Sequence, residues 1–303
     1  MGICSSIISI NVFNPLHTIS KTALKLPHGK ECIVFSERTG HFEKQDSIDA
    51  WLSQGVYSKK EWTNWVIYND ETDKLGDPHT KKGHCKGIVA WNEKSISWLC
   101  HSVPNFPRTF TSNSISPLED SELIYGQSFQ YVEIPFTADM ICGIMKQLQI
   151  MHAHVFKENY TEFSKSFHYN TFHDNSSHIL INELVLSDTV THIAKSPNYE
   201  IDIYSDFITG KYPTTWYVET WIRGHHIEKS KTVKEVTNLK YDENHTYSEH
   251  QDHSKWATTN DKSGMYWVGD LNRMTSQFTR GGGGFLCMNR AIADSLFKLV
   301  VDP

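Results

Sequence analysis

Residues 84–105 open with His84-Cys85-Lys86, pass through Asn92-Glu93-Lys94-Ser95, and close on Trp98 and Asn105. Residues 253–272 repeat the order: His253-Ser254-Lys255, Asn260-Asp261-Lys262-Ser263, Trp267, Asn272. His to Asn is 21 residues in the first copy and 19 in the second. A single His-x-Lys carries little, because short motifs recur by chance on surface turns. Two copies, each followed at matched offsets by Asn-acid-Lys-Ser and an asparagine, point to a duplicated half-site.

On an extended strand, His and Lys two residues apart share one face, since strand side chains alternate. The Asn-acid-Lys-Ser segment is rich in turn formers, so each tail is expected to return antiparallel and bring its asparagine back toward its own His and Lys. Two imidazoles, two ammonium groups and two amides around one centre suit a phosphodiester. The lysines and asparagines would stabilise charge on the phosphoryl oxygens. One imidazole would attack phosphorus and the other protonate the leaving oxygen. Such a site needs neither a metal nor an organic cofactor.

The motifs Gly83-His84-Cys85-Lys86-Gly87, His101-Ser102-Val103-Pro104-Asn105-Phe106-Pro107, Tyr125-Gly126-Gln127, Asp252-His253-Ser254-Lys255-Trp256, Gly269-Asp270-Leu271-Asn272-Arg273 and Arg280-Gly281-Gly282-Gly283 extend outward from the two copies. On them the chain resembles the deoxyribonuclease II family. The resemblance implies an α+β fold of two related phospholipase D-like halves, residues 1–165 and 166–303. Each half would be a mixed β-sheet flanked by helices, and together they would form one pseudo-twofold active site. It also implies an acid endonuclease that cuts double-stranded DNA without a divalent metal, leaving 3'-phosphate and 5'-hydroxyl ends, in a secreted or lysosomal protein. The family's functional residues fall on His84, Lys86, His253 and Lys255, with the superfamily's asparagines on Asn105 and Asn272. His84 is the expected nucleophile and His253 the acid, although the reverse order is equally readable. His101, Arg273 and Arg280 are expected beside the substrate or in support. The family's cysteines after Asp-His-Ser-Lys-Trp and before Val-Gly-Asp are replaced by Ala257 and Trp267, as if a disulfide had been lost as a unit. A phospholipase D-like enzyme on another phosphodiester would use the same six groups. An inactive binding protein would show damage to them, and none is damaged.

With 303 residues, 39% of them hydrophobic and nine tryptophans, the chain has enough apolar mass for a substantial core. No run is long enough for a membrane span, and composition does not choose between monomer and homodimer. The first 17 residues lack the basic start of a signal peptide and read equally as an isoleucine-rich strand. The six cysteines show no zinc-like spacing. Asn159, Asn175 and Asn244 each head a glycosylation sequon.

The formal charge of -6 at pH 7 is unusual for a DNA-binding protein, but 17 histidines change the sum in acid. Acid pH is therefore expected both to recruit DNA and to supply a protonated imidazole. The pair His225-His226 lacks ligand partners at convincing spacing, and Lys81 and Lys82 are candidate backbone contacts.

Along the chain, strands are expected at Glu31–Phe35, Trp62–Tyr68, Gln130–Pro135 and Thr215–Ile222, and helices at Ser47–Leu52, Ala138–Gln149, Asp202–Phe207 and Cys287–Leu299. Ile179–Val185 reads as helix or strand. Lys229–Glu249 reads as a lid or surface loop, residues 150–181 as the junction between halves, and the four glycines Gly281–Gly284 as a tight loop beneath the site.

Overall fold

Both copies of the repeated pattern fold as antiparallel hairpins in the computed structural model, which describes residues 18–57, 61–71, 82–169, 178–222, 227 and 230–301. In the first, Lys86–Trp91 pairs with Ser95–His101. Asn92 Oδ1 closes the turn by accepting the backbone N–H groups of Lys94 and Ser95 at 2.9 and 3.0 Å. In the second, Trp256–Thr259 pairs with Met265–Gly269. There Asp261 Oδ1 accepts from Ser263 N at 2.9 Å, and Gly264 takes the left-handed φ of 61°. An Asx side chain thus replaces a backbone turn in both.

The strands are β1 (Ile19–Lys25), β2 (Cys32–Ser36), β3 (His41–Gln45), β4 (Asn64–Asn69), β5 (Lys86–Trp91) and β6 (Ser95–His101). A two-residue hairpin, β7 (Phe110–Thr111) and β8 (Ser114–Ile115), precedes β9 (Gln127–Pro135) and β10 (Val155–Asn159). The first sheet has the order β10-β4-β5-β6-β9-β1-β2-β3. Then come β11 (Ile181–Ser187), β12 (Val190–Lys195), β13 (Trp216–Glu219) and β14 (Val233–Glu235). A separate hairpin of β15 (Asn238–Asp242) and β16 (His245–Ser248) leads to β17 (Trp256–Thr259), β18 (Met265–Gly269) and β19 (Gly282–Met288). The second sheet has the order β11-β12-β19-β18-β17-β13-β14.

Every pair in the first sheet is antiparallel. The expectation of a mixed sheet therefore holds only for the second, through the parallel pair β13/β14. The two sheets share one hydrophobic cluster, to which Val89, Trp98 and Val132 come from the first and Ala194, Val268 and Phe285 from the second. Trp98 stacks on His192 at 4.0 Å between ring centroids and donates its indole N–H to Tyr68 Oη at 2.8 Å. Truncating a side chain in such a place costs about 3–5 kcal/mol. The outer faces bury separate clusters, around Trp51, Tyr57 and Phe129 on the first sheet and Tyr204, Trp216 and Trp267 on the second.

Helix α1 (Ile48–Ala50) is capped by Ser47, whose hydroxyl accepts from Ala50 N, and continues as a π-helical segment, Trp51–Tyr57. Helix α2 (Ala138–Ile150) is capped by Thr137 and packs on β11 and β12. Ile181–Ser187 resolves as strand. Asp202 caps a helical segment that runs past Gly210 through α3 (Thr209–Lys211) instead of stopping there. The stretch expected as a lid is β14 and the β15/β16 hairpin, with Val233, Val236 and Leu239 buried. The glycine run is not a loop either. It enters β19, between β12 and β18, where a Cβ on Gly283 would lie 2.4 Å from Ile193 O and one on Gly284 2.5 Å from Gly269 Cα. Helix α4 (Thr275–Phe278) precedes it, and the last helix, α5 (Arg290–Phe297), begins only after β19 ends at Met288.

Ala257 and Trp267, where the resemblance implied cysteines, are direct cross-strand partners, and the indole fills the position fully buried. Cys32, Cys85, Cys100 and Cys287 are buried free thiols. Among the described residues no helix is long and apolar enough to cross a membrane. The expectations for residues 1–17, Lys81, Asn175, His225 and His226 fall outside the described residues.

Candidate active site

Each His-x-Lys segment is tied by its backbone to the opposite sheet. The N–H of His84 donates to Gly281 O at 2.7 Å, immediately before β19. The N–H of His253 donates to Gly126 O at 2.9 Å, immediately before β9. Both positions are crowded for a side chain: a Cβ on Gly281 would stand 2.1 Å from the Met151 carbonyl oxygen, and one on Gly126 2.5 Å from the Asp252 carboxylate beside His253. The two segments consequently face one cleft of about 240 Å³, lined by His84, Lys86, His253, Lys255 and Asn272 together with Glu71, Ser102, Pro104 and Trp221. A larger cavity of about 510 Å³, lined by Lys82, His152, His154 and Lys157 among others, adjoins the backbone just before His84 and contains none of the duplicated residues.

His84 Nδ1 lies 2.7 Å from Asp270 O. A carbonyl only accepts, so Nδ1 carries the proton and Nε2 presents its lone pair. Burial, reinforced by the Lys86 charge, pushes the His84 pKa down to about 3. The ring is therefore neutral at pH 5. Lys86 donates to Asp70 at 2.7 Å and approaches Glu71 at 3.1 Å. Burial works against its charge, but the two carboxylates outweigh that and hold its pKa above the usual lysine value. Asp70 also takes Arg280 at 2.8 Å. Asp70, Glu71 and His84 stand close enough to hold a metal ion, but an ion there would compete with the Lys86 ammonium and the Arg280 guanidinium for the same oxygens.

The second segment has different surroundings. The His253 ring lies flat against Tyr125, centroids 4.0 Å apart at 10°, and meets Trp221 at 3.6 Å and 34°. Lys255 donates to the backbone carbonyl of His253 at 2.5 Å. Burial, then repulsion from Lys86, brings its pKa down to about 8. Burial also lifts Asp270 to about 7, although its Oδ1 accepts from Lys86 N at 3.3 Å.

Asn272 lines the cleft, with its Oδ1 buried and without a hydrogen-bond partner among the described residues. Asn105 is carried to the same wall, its N–H donating to Glu71 O at 2.7 Å, but it is not among the lining residues. Strand register explains the difference. Gly87 and Trp256 each follow their lysine and pair with Cys100 and Val268. Four residues past Cys100 is Pro104, and four past Val268 is Asn272. The counterpart of Asn272 is thus Pro104, and Asn105 sits one residue further on, at a φ of 53°.

The model of the family described as Deoxyribonuclease II matches residues 33–302. The chain belongs to the deoxyribonuclease II family. It is 28% identical to deoxyribonuclease-2-beta of Mus musculus, over 81% of this chain and 73% of the mouse protein. It is 27% identical to cell-death-related nuclease 7 of Caenorhabditis elegans, over 90% of this chain and 79% of the nematode protein. Against deoxyribonuclease-2-alpha of Sus scrofa it is 28% identical, over 81% of this chain and 71% of the pig protein. Membership of the deoxyribonuclease II family supports a nuclease activity of that general type.

The remaining candidates of this family member are not among the residues that line the cleft. His101 is wholly buried, edge-on to Phe106, and pushed down to about 3 chiefly by burial, so it does not reach the cleft. Arg273 is buried against Asp202 and Glu235. Arg280 joins Asp70 to Lys82 O. Reading the residues singly missed Asp70, Glu71, Tyr125, Trp221 and the carbonyl of Asp270. Tyr125 and Asp270 lie inside motifs that carried the family resemblance. Asp70 and Glu71 had no signal beyond ending a strand.

Proposed function

We propose that this chain is a metal-independent endodeoxyribonuclease that hydrolyses double-stranded DNA at acid pH through a phosphohistidine on His84. The single observation that carries the assignment of roles is the hydrogen bond from His84 Nδ1 to Asp270 O, which aims a neutral Nε2 into a cleft opposite His253. Nε2 attacks phosphorus, and the P–O5' bond breaks. His253 gives its proton to O5', releasing the 5'-hydroxyl strand. The phosphoimidazolium keeps its Nδ1–H on the Asp270 carbonyl. His253, now neutral, takes a proton from water, whose oxygen attacks phosphorus and frees His84, leaving a 3'-phosphate. Lys86, Lys255 and Asn272 face the phosphoryl oxygens. Ser102 also lines the cleft, and Asn105 is bonded to the backbone of Glu71 on the same wall.

The low pKa of His84 suits an acid enzyme, because an unperturbed histidine of pKa ~6.5 would be protonated and non-nucleophilic at pH 5. His84, His101 and His192 are all pushed down to about 3, chiefly by burial. They drop out of the positive charge gained in acid, and DNA recruitment falls to the other histidines. The reciprocal bonds from His84 to Gly281 and from His253 to Gly126 support a pseudo-twofold arrangement of two halves, the first built on β1–β10 and the second on β11–β19. Secretion or lysosomal residence accords with the exposed sequon asparagines Asn159 and Asn244.

Plasmid cleavage at pH 5 in EDTA tests the proposal. Wild type should cut, with duplex affinity rising from neutral pH to pH 5, and His84→Ala and His253→Ala should each lose about 10²-fold or more. Only His84→Ala should fail to yield a trapped covalent adduct. Absence of cutting by folded wild type, or an adduct in His84→Ala, would refute it.

A further inference from the structure

Two lysines that do not line the cleft occupy matching places in the two sheets. Lys25 ends β1, opposite Gln127 of β9, and Lys195 ends β12, opposite Gly282 of β19. Each is followed by x-Pro, as Leu26-Pro27 and Ser196-Pro197. Both are buried, at 1% and 0% exposure.

Their ammonium groups make the same three bonds. Lys25 donates to the carbonyls of Leu26, Gly29 and Leu123 at 2.8, 2.9 and 2.9 Å. Lys195 donates to those of Ser196, Tyr199 and Phe278 at 3.4, 2.9 and 2.8 Å. In both, the acceptors are the next residue, the fourth residue on, and a residue three places before a glycine: Leu123 before Gly126, Phe278 before Gly281. Three N–H groups meet three carbonyl dipoles, which is how an ammonium ion without a carboxylate partner is kept buried.

The segments held in this way support the opposite His-x-Lys. Leu123–Gly126 carries the Tyr125 ring that stacks on His253 and the Gly126 carbonyl that accepts its N–H. Phe278–Gly281 carries the Gly281 carbonyl that accepts from His84 and the Arg280 side chain on Asp70, the partner of Lys86.

We infer that Lys25 and Lys195 are positioning residues for the nuclease reaction, Lys25 for His253 and Lys195 for His84, each acting across the sheet boundary through a clamped four-residue segment. The inference rests on the roles proposed for the two histidines. Loss of either clamp leaves the reacting groups in the protein but lets one of them drift, and a displacement of about 1 Å costs about 10²-fold in rate.

A leaving group that needs no proton separates the two clamps. A duplex oligonucleotide with one bridging sulfur in place of O5' expels a thiolate, so its first cleavage step does not depend on the general acid. Lys25→Met should lose about 10²-fold on ordinary DNA and recover most of it in the first turnover on the sulfur substrate. Lys195→Met should lose on both. His253→Ala and His84→Ala, run beside them, test the proposed roles, and each lysine variant should follow the pattern of its own histidine. If His253→Ala is not rescued by sulfur, the role assignment fails. If it is rescued and Lys25→Met is not, the positioning inference fails. Equal losses on both substrates would reduce Lys25 to a plain stabiliser, and a Lys195→Met loss no larger than its fall in folded fraction at the assay temperature would do the same for Lys195. Should methionine prevent folding, Lys25→Gln and Lys195→Gln keep N–H donors and carry the same comparison.

Discussion

Lys86 gives its ammonium to Asp70 and Glu71, whereas Lys255 gives its to a backbone carbonyl and has its pKa brought down to about 8, chiefly by burial. His84 is held by a hydrogen bond that fixes which nitrogen is bare, whereas His253 is held between aromatic faces. One sequence pattern therefore yields two different electrostatic environments. A repeated motif supplies the reacting groups, and the neighbours that differ divide the labour between them. A nucleophile benefits from a fixed neutral tautomer, and an acid–base group from a ring that stays in place while its proton count changes.

The sharpest way to break this contrast is to remove the lysines one at a time. Both Lys86→Met and Lys255→Met should cost roughly 10²–10³-fold in kcat. They should part in stability. Lys86→Met leaves buried Asp70 with only Arg280 and should cost roughly 3 kcal/mol, while Lys255→Met removes a cation with no carboxylate bond and should cost little or nothing. Urea unfolding of both variants decides it, and equal losses of stability would erase the distinction.

A smaller effect concerns the acid limb of the pH profile. With His84 down at about 3, kcat/KM in the wild type should hold well below pH 6. Lys86 is the largest charge lowering that pKa, so Lys86→Met should move the acid limb upward by roughly one pH unit. A limb that stays where it was would show that burial alone keeps His84 neutral.

A further effect is on folding. Burial raises Asp270 from the ordinary 3.8 to about 7. The folded chain thus binds more protons than the unfolded one in that window, so this contribution is fully present below pH 3.8 and lost as pH rises through about 7. Asp270→Asn should flatten the loss of stability between pH 4 and 7, by up to roughly 4 kcal/mol. Parallel urea midpoints for the two proteins across that range would contradict it.

Much of this was legible in the chain. The turn tetrads gave both hairpins, because Asn92 and Asp261 fold back on their own backbone whatever surrounds them. The His-x-Lys pairs supplied four groups that line the cleft. His84 and the whole of His253–Lys255 precede their strands, β5 and β17, so it is the bonds to Gly281 and Gly126 rather than strand alternation that seat them. The place of Asn105 depends on one extra residue in the first hairpin, a register that only strand pairing sets, so matching asparagine to asparagine does not fix it. Asp70 was invisible because its importance comes from following Asn69, the β4 partner of Lys86 on β5, a pairing that the local sequence does not name. The glycine run was read as a loop, yet its lack of side chains serves close packing inside a strand. Lys195-Ser196-Pro197 gives no signal in the sequence, because a strand ending in lysine looks like an ordinary polar boundary until three carbonyls are found around it.

The crossed bonds, His84 to Gly281 and His253 to Gly126, have a consequence for assembly. Either sheet expressed alone would hold a His-x-Lys without the carbonyl that seats it, and would own a carbonyl with nothing to seat. Such a fragment could complete a site only by finding a second molecule, at the mercy of concentration. Covalent continuity turns that encounter into an intramolecular one, so the site survives any dilution that leaves the chain folded.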